Sequence, residues 1–208
     1  MNAPAVHEVT PRRKGIRRGV YLLPSLFTMA NMFCGYACIV HAMAGRFETA
    51  APFIGFAVVL DMLDGRIARL TGSTSEFGLQ FDSLADVISF GVAPAVLGYT
   101  LGLRGGWDML ILTYFVGCGV SRLARFNVTS AELSDTSTGK VRYFEGTPIP
   151  TSILIVALLA VAAWTGHTDA DLWLGAYRIG PATLHPLALV YAASGSAMIS
   201  ATLRIPKP

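Results

Sequence analysis

Four aspartates stand in two close pairs within DMLDGRIARLTGSTSEFGLQFDSLAD, the stretch from Asp61 to Asp86. Asp61 and Asp64 are three residues apart, Asp82 and Asp86 four apart, so each pair falls on one face of a helix. The Gly- and hydroxyl-rich Thr71-Gly72-Ser73-Thr74-Ser75 between them fits a helix stop and a new start. A tight turn there could bring all four carboxylates together. Pairing with the neighbouring Arg66 and Arg69 would still leave negative charge unmatched. Hard oxygen donors with no Cys or His among them suit Mg²⁺, Mn²⁺ or Ca²⁺, and four donors suit two ions better than one. Ions held in that way clamp phosphoryl oxygens and activate attacking and leaving groups.

The residues around the acids fit the same task. Gly65 and Gly78 leave room for a ligand to approach the helix backbone, and Ala68 permits close packing. Arg69, one turn beyond Gly65, presents a fork suited to a phosphate. Glu76 reads as a solvated turn residue. Farther along, Arg122 and Arg125 are three apart, and Lys140 and Arg142 follow in the long polar interval Asn127–Gly146. Either they anchor the chain at a membrane surface, or Arg122, Arg125 or Arg142 grips an acceptor carboxylate or a substrate phosphate. Asn31, inside an apolar run, needs a partner, either a ligand base or a neighbouring helix.

The elements that must position these groups are membrane helices. Of 208 residues, 53% are hydrophobic and 14% charged, and the mean hydropathy is +0.53. Leu22–Ala44, Thr147–Thr168 and Ile179–Leu203 contain no Asp, Glu, Lys or Arg, each long enough to cross a hydrocarbon core of roughly 30 Å. Thr49–Leu60, Val87–Leu103 and Met109–Ser121 reach that length if their polar ends lie at an interface or inside a bundle. The expectation is an all-α, polytopic bundle of six transmembrane helices. With the N-terminus inside, only Arg46, Arg104 and Arg178 of the 16 basic residues fall outside, as the positive-inside rule requires. That orientation puts both termini and the acidic turn at the cytoplasmic face of an inner membrane.

Residues 1–19, with PRRKGIRR, read as a basic amphipathic segment on the inner leaflet rather than a signal peptide, and residues 20–208 as one membrane domain without internal repeats. The formal charge of +3 reports topology and anionic lipid, and no nucleic-acid motif accompanies it. Cys34, Cys38, Cys118 and His41 read as packing residues, because no metal-ligand spacing joins them. Gly91 and Pro94 would shape the third helix.

Asp61, Asp64-Gly65, Ala68-Arg69, Gly78, Asp82 and Asp86 match D-x2-D-G-x2-A-R-x8-G-x3-D-x3-D, and the chain thereby resembles the CDP-alcohol phosphotransferases. Its flanks, LLPSLFTMANMFCG, SLADVISFGVAPA, SRLARFN and YFEGTPIP, are similar to those of the phosphatidylserine synthases, with departures at Ser25 and Thr147-Pro148-Ile149. This resemblance covers roughly residues 20–150. It implies two divalent cations, Mg²⁺ or Mn²⁺, on the four aspartates, with Asp86 also the general base. Gly65, Ala68, Arg69 and Gly78 would line the CDP site, and Asn31 would reach the cytidine or a neighbouring helix. The implied substrates are CDP-diacylglycerol and L-serine, and the implied assembly is a homodimer in the lipid bilayer with its site open to the cytoplasm. No nucleophile constellation competes, which favours single displacement. Other acceptors (glycerol phosphate, inositol phosphate, choline) and an ether-lipid donor stay open. A rival from another class is a cation-coupled transporter, which would carry inverted repeats and a midplane site.

Overall fold

A computed structural model describes residues 15–72, 75–135, 143–145, 147–200 and 204–206. The chain folds into a mostly helical bundle. Helix α1 (Gly15–Met43) turns at Gly45 into α2 (Phe47–Thr71), and the two pack against each other along much of their length. Helix α3 (Glu76–Asp86) continues through a π-helical segment, Val87–Val92, into α4 (Ala93–Leu101). A bend at Gly102–Gly105 leads to the 30-residue α5 (Gly106–Asp135). After the three-residue strand β1 (Tyr143–Glu145), a 3₁₀ turn, Ile149–Ser152, runs into α6 (Ile153–Trp164). Strands β2 (Tyr177–Ile179) and β3 (Ala182–Leu184) precede α7 (Ala188–Ile199), and β4 (Arg204–Pro206) follows it.

Among the described residues, three helical stretches are long and apolar enough to cross a membrane: Ser25–Met43, Glu76–Leu101 and Gly106–Thr129. Helix α2 has the length, 25 residues, but its C-terminal half carries Asp61, Asp64, Arg66 and Arg69. Ile149–Trp164 and Ala188–Ile199 are apolar but shorter.

The last apolar window differs from expectation. Instead of one helix over Ile179–Leu203, its first part forms an antiparallel hairpin in which Tyr177, Arg178 and Ile179 pair with Leu184, Thr183 and Ala182. Gly180 takes φ +61° at the turn, and Pro181 and Pro186 supply no N–H for a helical ladder. Only 12 helical residues remain in α7. A second small ladder joins β1 to β4, so the all-α expectation holds for the bundle and misses two hairpin-sized additions.

The core lies where α1, α2 and the π segment meet α4 to α7. Cys38, Ala50, Ile54, Ala57, Phe90, Leu97, Phe115 and Leu159 are fully buried there. Tyr191 is buried too. Its hydroxyl donates to the Pro94 carbonyl at 2.6 Å, and its ring meets Phe115 edge-on at 5.2 Å. The three cysteines are buried and unbonded to one another, and His41 stacks on Phe53 at 5.4 Å. The cysteines sit as packing groups, whereas His41, stacked on Phe53, keeps a buried Nδ1 without a hydrogen-bond partner among the described residues.

The π segment has a local cause. Pro94 cannot donate to the carbonyl of Phe90, and its ring would crowd that carbonyl in a regular α-helix. The backbone widens just before it, and Ala93 N–H reaches back five residues to Ile88 O. The widened turn also receives α1. A Cβ on Gly35 would lie 2.6 Å from Ser89 Oγ and 2.7 Å from Ser89 Cα, so only glycine permits this approach. Ser89 Oγ then donates to the Asn31 carbonyl at 2.9 Å.

Candidate active site

The turn between the acidic helices is built as the sequence indicates at both of its ends. Gly72 closes α2 in the left-handed region, φ +61°, with its N–H directed at the carbonyls of Ala68 and Arg69. Ser75 opens α3 as N-cap, its Oγ accepting from Gly78 N–H at 3.0 Å, which satisfies an otherwise orphaned donor. Helix α2 thus stops and α3 starts at defined residues, and Glu76 is exposed in the first turn of α3.

From that turn the two helices bring the acids together. Asp61, Asp64 and Asp82 each offer a carboxylate oxygen within 4.8 Å of the others. Asp86 lies outside that group of three, and its carboxyl interacts with that of Asp61. Asp64 and Asp86 are buried, while Asp61 and Asp82 are half-buried.

Helix α1 forms a third wall. Thr28 Oγ1 donates to Asp64 Oδ2 at 3.0 Å, and Asn31 Nδ2 donates to Asp86 Oδ1 at 3.1 Å. Asn31 is thus engaged with a neighbouring helix, one of its two expected roles. Helix α5 forms the fourth wall. Asn127 Nδ2 donates to Gln80 Oε1 at 2.9 Å and to Ser83 Oγ at 3.0 Å, tying α5 to the helix of Asp82 and Asp86. One turn and a half earlier, the half-buried Arg122 lies close enough to Asp86 for their charges to interact. Arg125 and Arg69 are exposed. A Cβ on Gly65 would meet only Arg69 Nη2, at 4.0 Å, so space is open beside that backbone. Ala68 and Gly78 are half-buried on the two flanks of the turn. Arg142 and Lys140 lie outside the described residues.

Among the described residues, Asp82 Oδ1 and Arg122 Nε are buried without a hydrogen-bond partner. Orphaned groups of opposite charge beside a cluster of acids are costly unless a ligand completes them. An all-oxygen donor set with an unused carboxylate oxygen is compatible with hard divalent cations, and an orphaned guanidinium donor with an anionic ligand.

Sequence reasoning did not find Thr28. Its signal was present, because Thr28 and Asn31 are three apart in the charge-free window Leu22–Ala44 and share a helix face. Ser83 and Gln80 were also missed, being polar residues of ordinary type whose partner is 44 or 47 residues away.

Comparison with known proteins agrees with this geometry. The family model described as CDP-alcohol phosphatidyltransferase matches residues 21–191, so the likeness continues past the segments legible by eye, through α6 and into α7. A Saccharomyces cerevisiae protein named CDP-diacylglycerol–serine O-phosphatidyltransferase is 42% identical over 190 residues, covering 87% of this chain and 69% of the yeast protein. A Helicobacter pylori protein of the same name is 43% identical over 144 residues, covering 67% of this chain and 57% of its own length. An archaetidylserine synthase of Methanothermobacter thermautotrophicus is 39% identical over 151 residues, 71% of this chain and 61% of the archaeal protein. The chain thus spans little more than half the length of two of these three relatives. With the motif set converging in space and the family model spanning α2 to α6 entire, the chain belongs to the CDP-alcohol phosphatidyltransferase family.

Proposed function

We propose that this chain transfers the phosphatidyl group of CDP-diacylglycerol to the hydroxyl of L-serine, releasing CMP, by metal-assisted single displacement at the four-aspartate site. The observation that carries the reading is the convergence of Asp61, Asp64 and Asp82 within 4.8 Å, with Asp86 against them. Family membership favours group transfer over cation-coupled transport, and the names of the yeast and Helicobacter relatives support serine as acceptor. The name of the archaeal relative keeps serine while changing the lipid, which fits a site that reads the headgroup.

Two divalent cations, Mg²⁺ or Mn²⁺, held by Asp61, Asp64, Asp82 and Asp86 would neutralise the diphosphate and make its lipid-side phosphorus open to attack. Asp86 takes the proton of the serine hydroxyl, aided by Asn31, whose amide N–H fixes one of its oxygens. The serine oxygen bonds to the lipid-side phosphorus as the bond from that phosphorus to the CMP oxygen breaks, and CMP departs with the electron pair. Gly65, Ala68 and Gly78 leave room for the cytidine and diphosphate, and Arg69 holds a phosphate at the mouth of the site. Arg122, with an unused donor, takes the serine carboxylate, with Arg125 or Arg142 the alternative groups for that carboxylate or a substrate phosphate.

In this reading six spans, the three long apolar stretches together with α2, α6 and α7, lie in the inner membrane as one unit over residues 20–208. Both termini and the acid cluster face the cytoplasm and the working form is a homodimer; the inner-leaflet reading of residues 1–19 falls mostly outside the described residues. Purified protein in detergent, supplied with CDP-diacylglycerol and one acceptor at a time, tests the chemistry. CMP is expected with serine and Mg²⁺ or Mn²⁺, and to disappear with chelator. Equal CMP release with glycerol phosphate or inositol phosphate in place of serine would defeat the acceptor assignment.

A further inference from the structure

We infer that Thr28 is a positioning residue for the divalent-cation site, its hydroxyl donating to one oxygen of Asp64 and leaving the other oxygen to face the cluster. The inference rests on the proposed cation site and adds to it a residue outside the family motif. Thr28 and Asp64 are each 4% exposed, so water is a poor substitute donor, and the 3.0 Å bond from Oγ1 to Oδ2 joins α1 to α2 at the site itself.

The neighbouring contact argues that this bond is more than helix packing. Three residues on, and on the same face of α1, Asn31 donates to Asp86 at 3.1 Å. Helix α1 carries no carboxylate of its own over Gly15–Met43, yet it presents two donors to two acids on two different helices. A carboxylate has about four acceptor positions over its two oxygens. Occupying one oxygen with a fixed donor sets the rotation of the group and thereby the direction of its free oxygen. Outer partners of this kind typically govern about 10–100-fold in metal affinity or activity. A hydroxyl is needed for that role, whereas a simple packing contact would be served as well by a methyl.

The test reads binding apart from turnover. Mn²⁺ is titrated into the purified full chain in detergent, and free ion is followed by its electron paramagnetic resonance signal. Thr28→Val removes the donor at nearly constant shape, and Thr28→Ser restores it with less bulk. Thr28→Ala makes the same comparison if valine disturbs folding. The expected result is Mn²⁺ binding weakened about tenfold or more in the valine and alanine variants and close to wild type in the serine variant. The Mn²⁺ concentration for half-maximal CMP release should move in parallel. Wild-type Mn²⁺ affinity in Thr28→Val, even with a lowered melting temperature, would make Thr28 a packing residue and overturn the inference. So would equal loss in the serine and valine variants. Failure of the wild-type chain to bind Mn²⁺ would instead overturn the underlying cation site, a result distinguishable from either.

Discussion

Asp86 accepts from Asn31 Nδ2 at 3.1 Å and interacts with the Asp61 carboxyl and, at longer range, with the charge of Arg122, and we propose it as the base. Replacing it with Asn keeps the shape and the Asn31 side of the contact while removing the proton acceptor. Asp86→Asn is expected to lower CMP release about a thousandfold with an unchanged size-exclusion profile, and wild-type-like turnover would remove Asp86 as base. Arg122→Gln should raise KM for serine about tenfold, roughly 1.4 kcal/mol of lost binding, with little change in KM for CDP-diacylglycerol. Steady-state kinetics in each substrate checks this, and unchanged constants for both would reduce Arg122 to a topology signal. At this scale the acids were legible, because spacings of three and four fix a helical face without any knowledge of tertiary structure. The Thr28–Asp64 bond was not, since it joins residues 36 apart and nothing in a threonine marks which helix it will meet.

Among the elements, the contact between α1 and the π segment is an exacting one. Gly35 abuts Ser89 so closely that a methyl group would overlap backbone as well as side chain. Gly35→Ala is expected to cost about 1–3 kcal/mol, read as a lowered melting temperature in detergent. Turnover should fall with it, because α1 also carries the donors to Asp64 and Asp86. A variant with undiminished stability would mean that α1 can retreat without strain. The start and stop of the acidic turn were readable from Gly72 and Ser75. Helix lengths were read less well. Charge-free composition outweighed Gly180, Pro181 and Pro186, and a single span was expected where a hairpin and a 12-residue helix stand.

Across the whole molecule, the end of the bundle away from the acids is closed by a second polar contact. Asp108, fully buried at the start of α5, accepts from Gly105 N–H at 2.8 Å, from His185 N–H at 2.8 Å and from His185 Nδ1 at 2.5 Å. Trp107 Nε1 donates to Ile179 O at 2.9 Å, so the β2–β3 hairpin is fastened to α5 at two points. Removing the acceptor costs about 1–3 kcal/mol for a buried donor left unsatisfied. Asp108→Ala should therefore lower the thermal midpoint clearly while Mn²⁺ affinity stays as in wild type. A parallel loss of Mn²⁺ binding would show the two ends to be coupled. No sequence pattern announced this contact, because Asp108 and His185 stand 77 residues apart and each resembles an ordinary loop residue.

The widened turn at Val87–Val92 makes the number of residues in α3–α4 as consequential as their identity. Each residue advances an α-helix by about 100°, and the widened turn takes up one residue more than an ordinary turn, so restoring an ordinary pitch there with the same number of residues would swing Asp82 and Asp86 about a quarter-turn relative to the apolar half above them. The rod would still be long and greasy enough to enter a bilayer. Its two acids would point past their partners, giving a protein that inserts and assembles but has lost its register for chemistry.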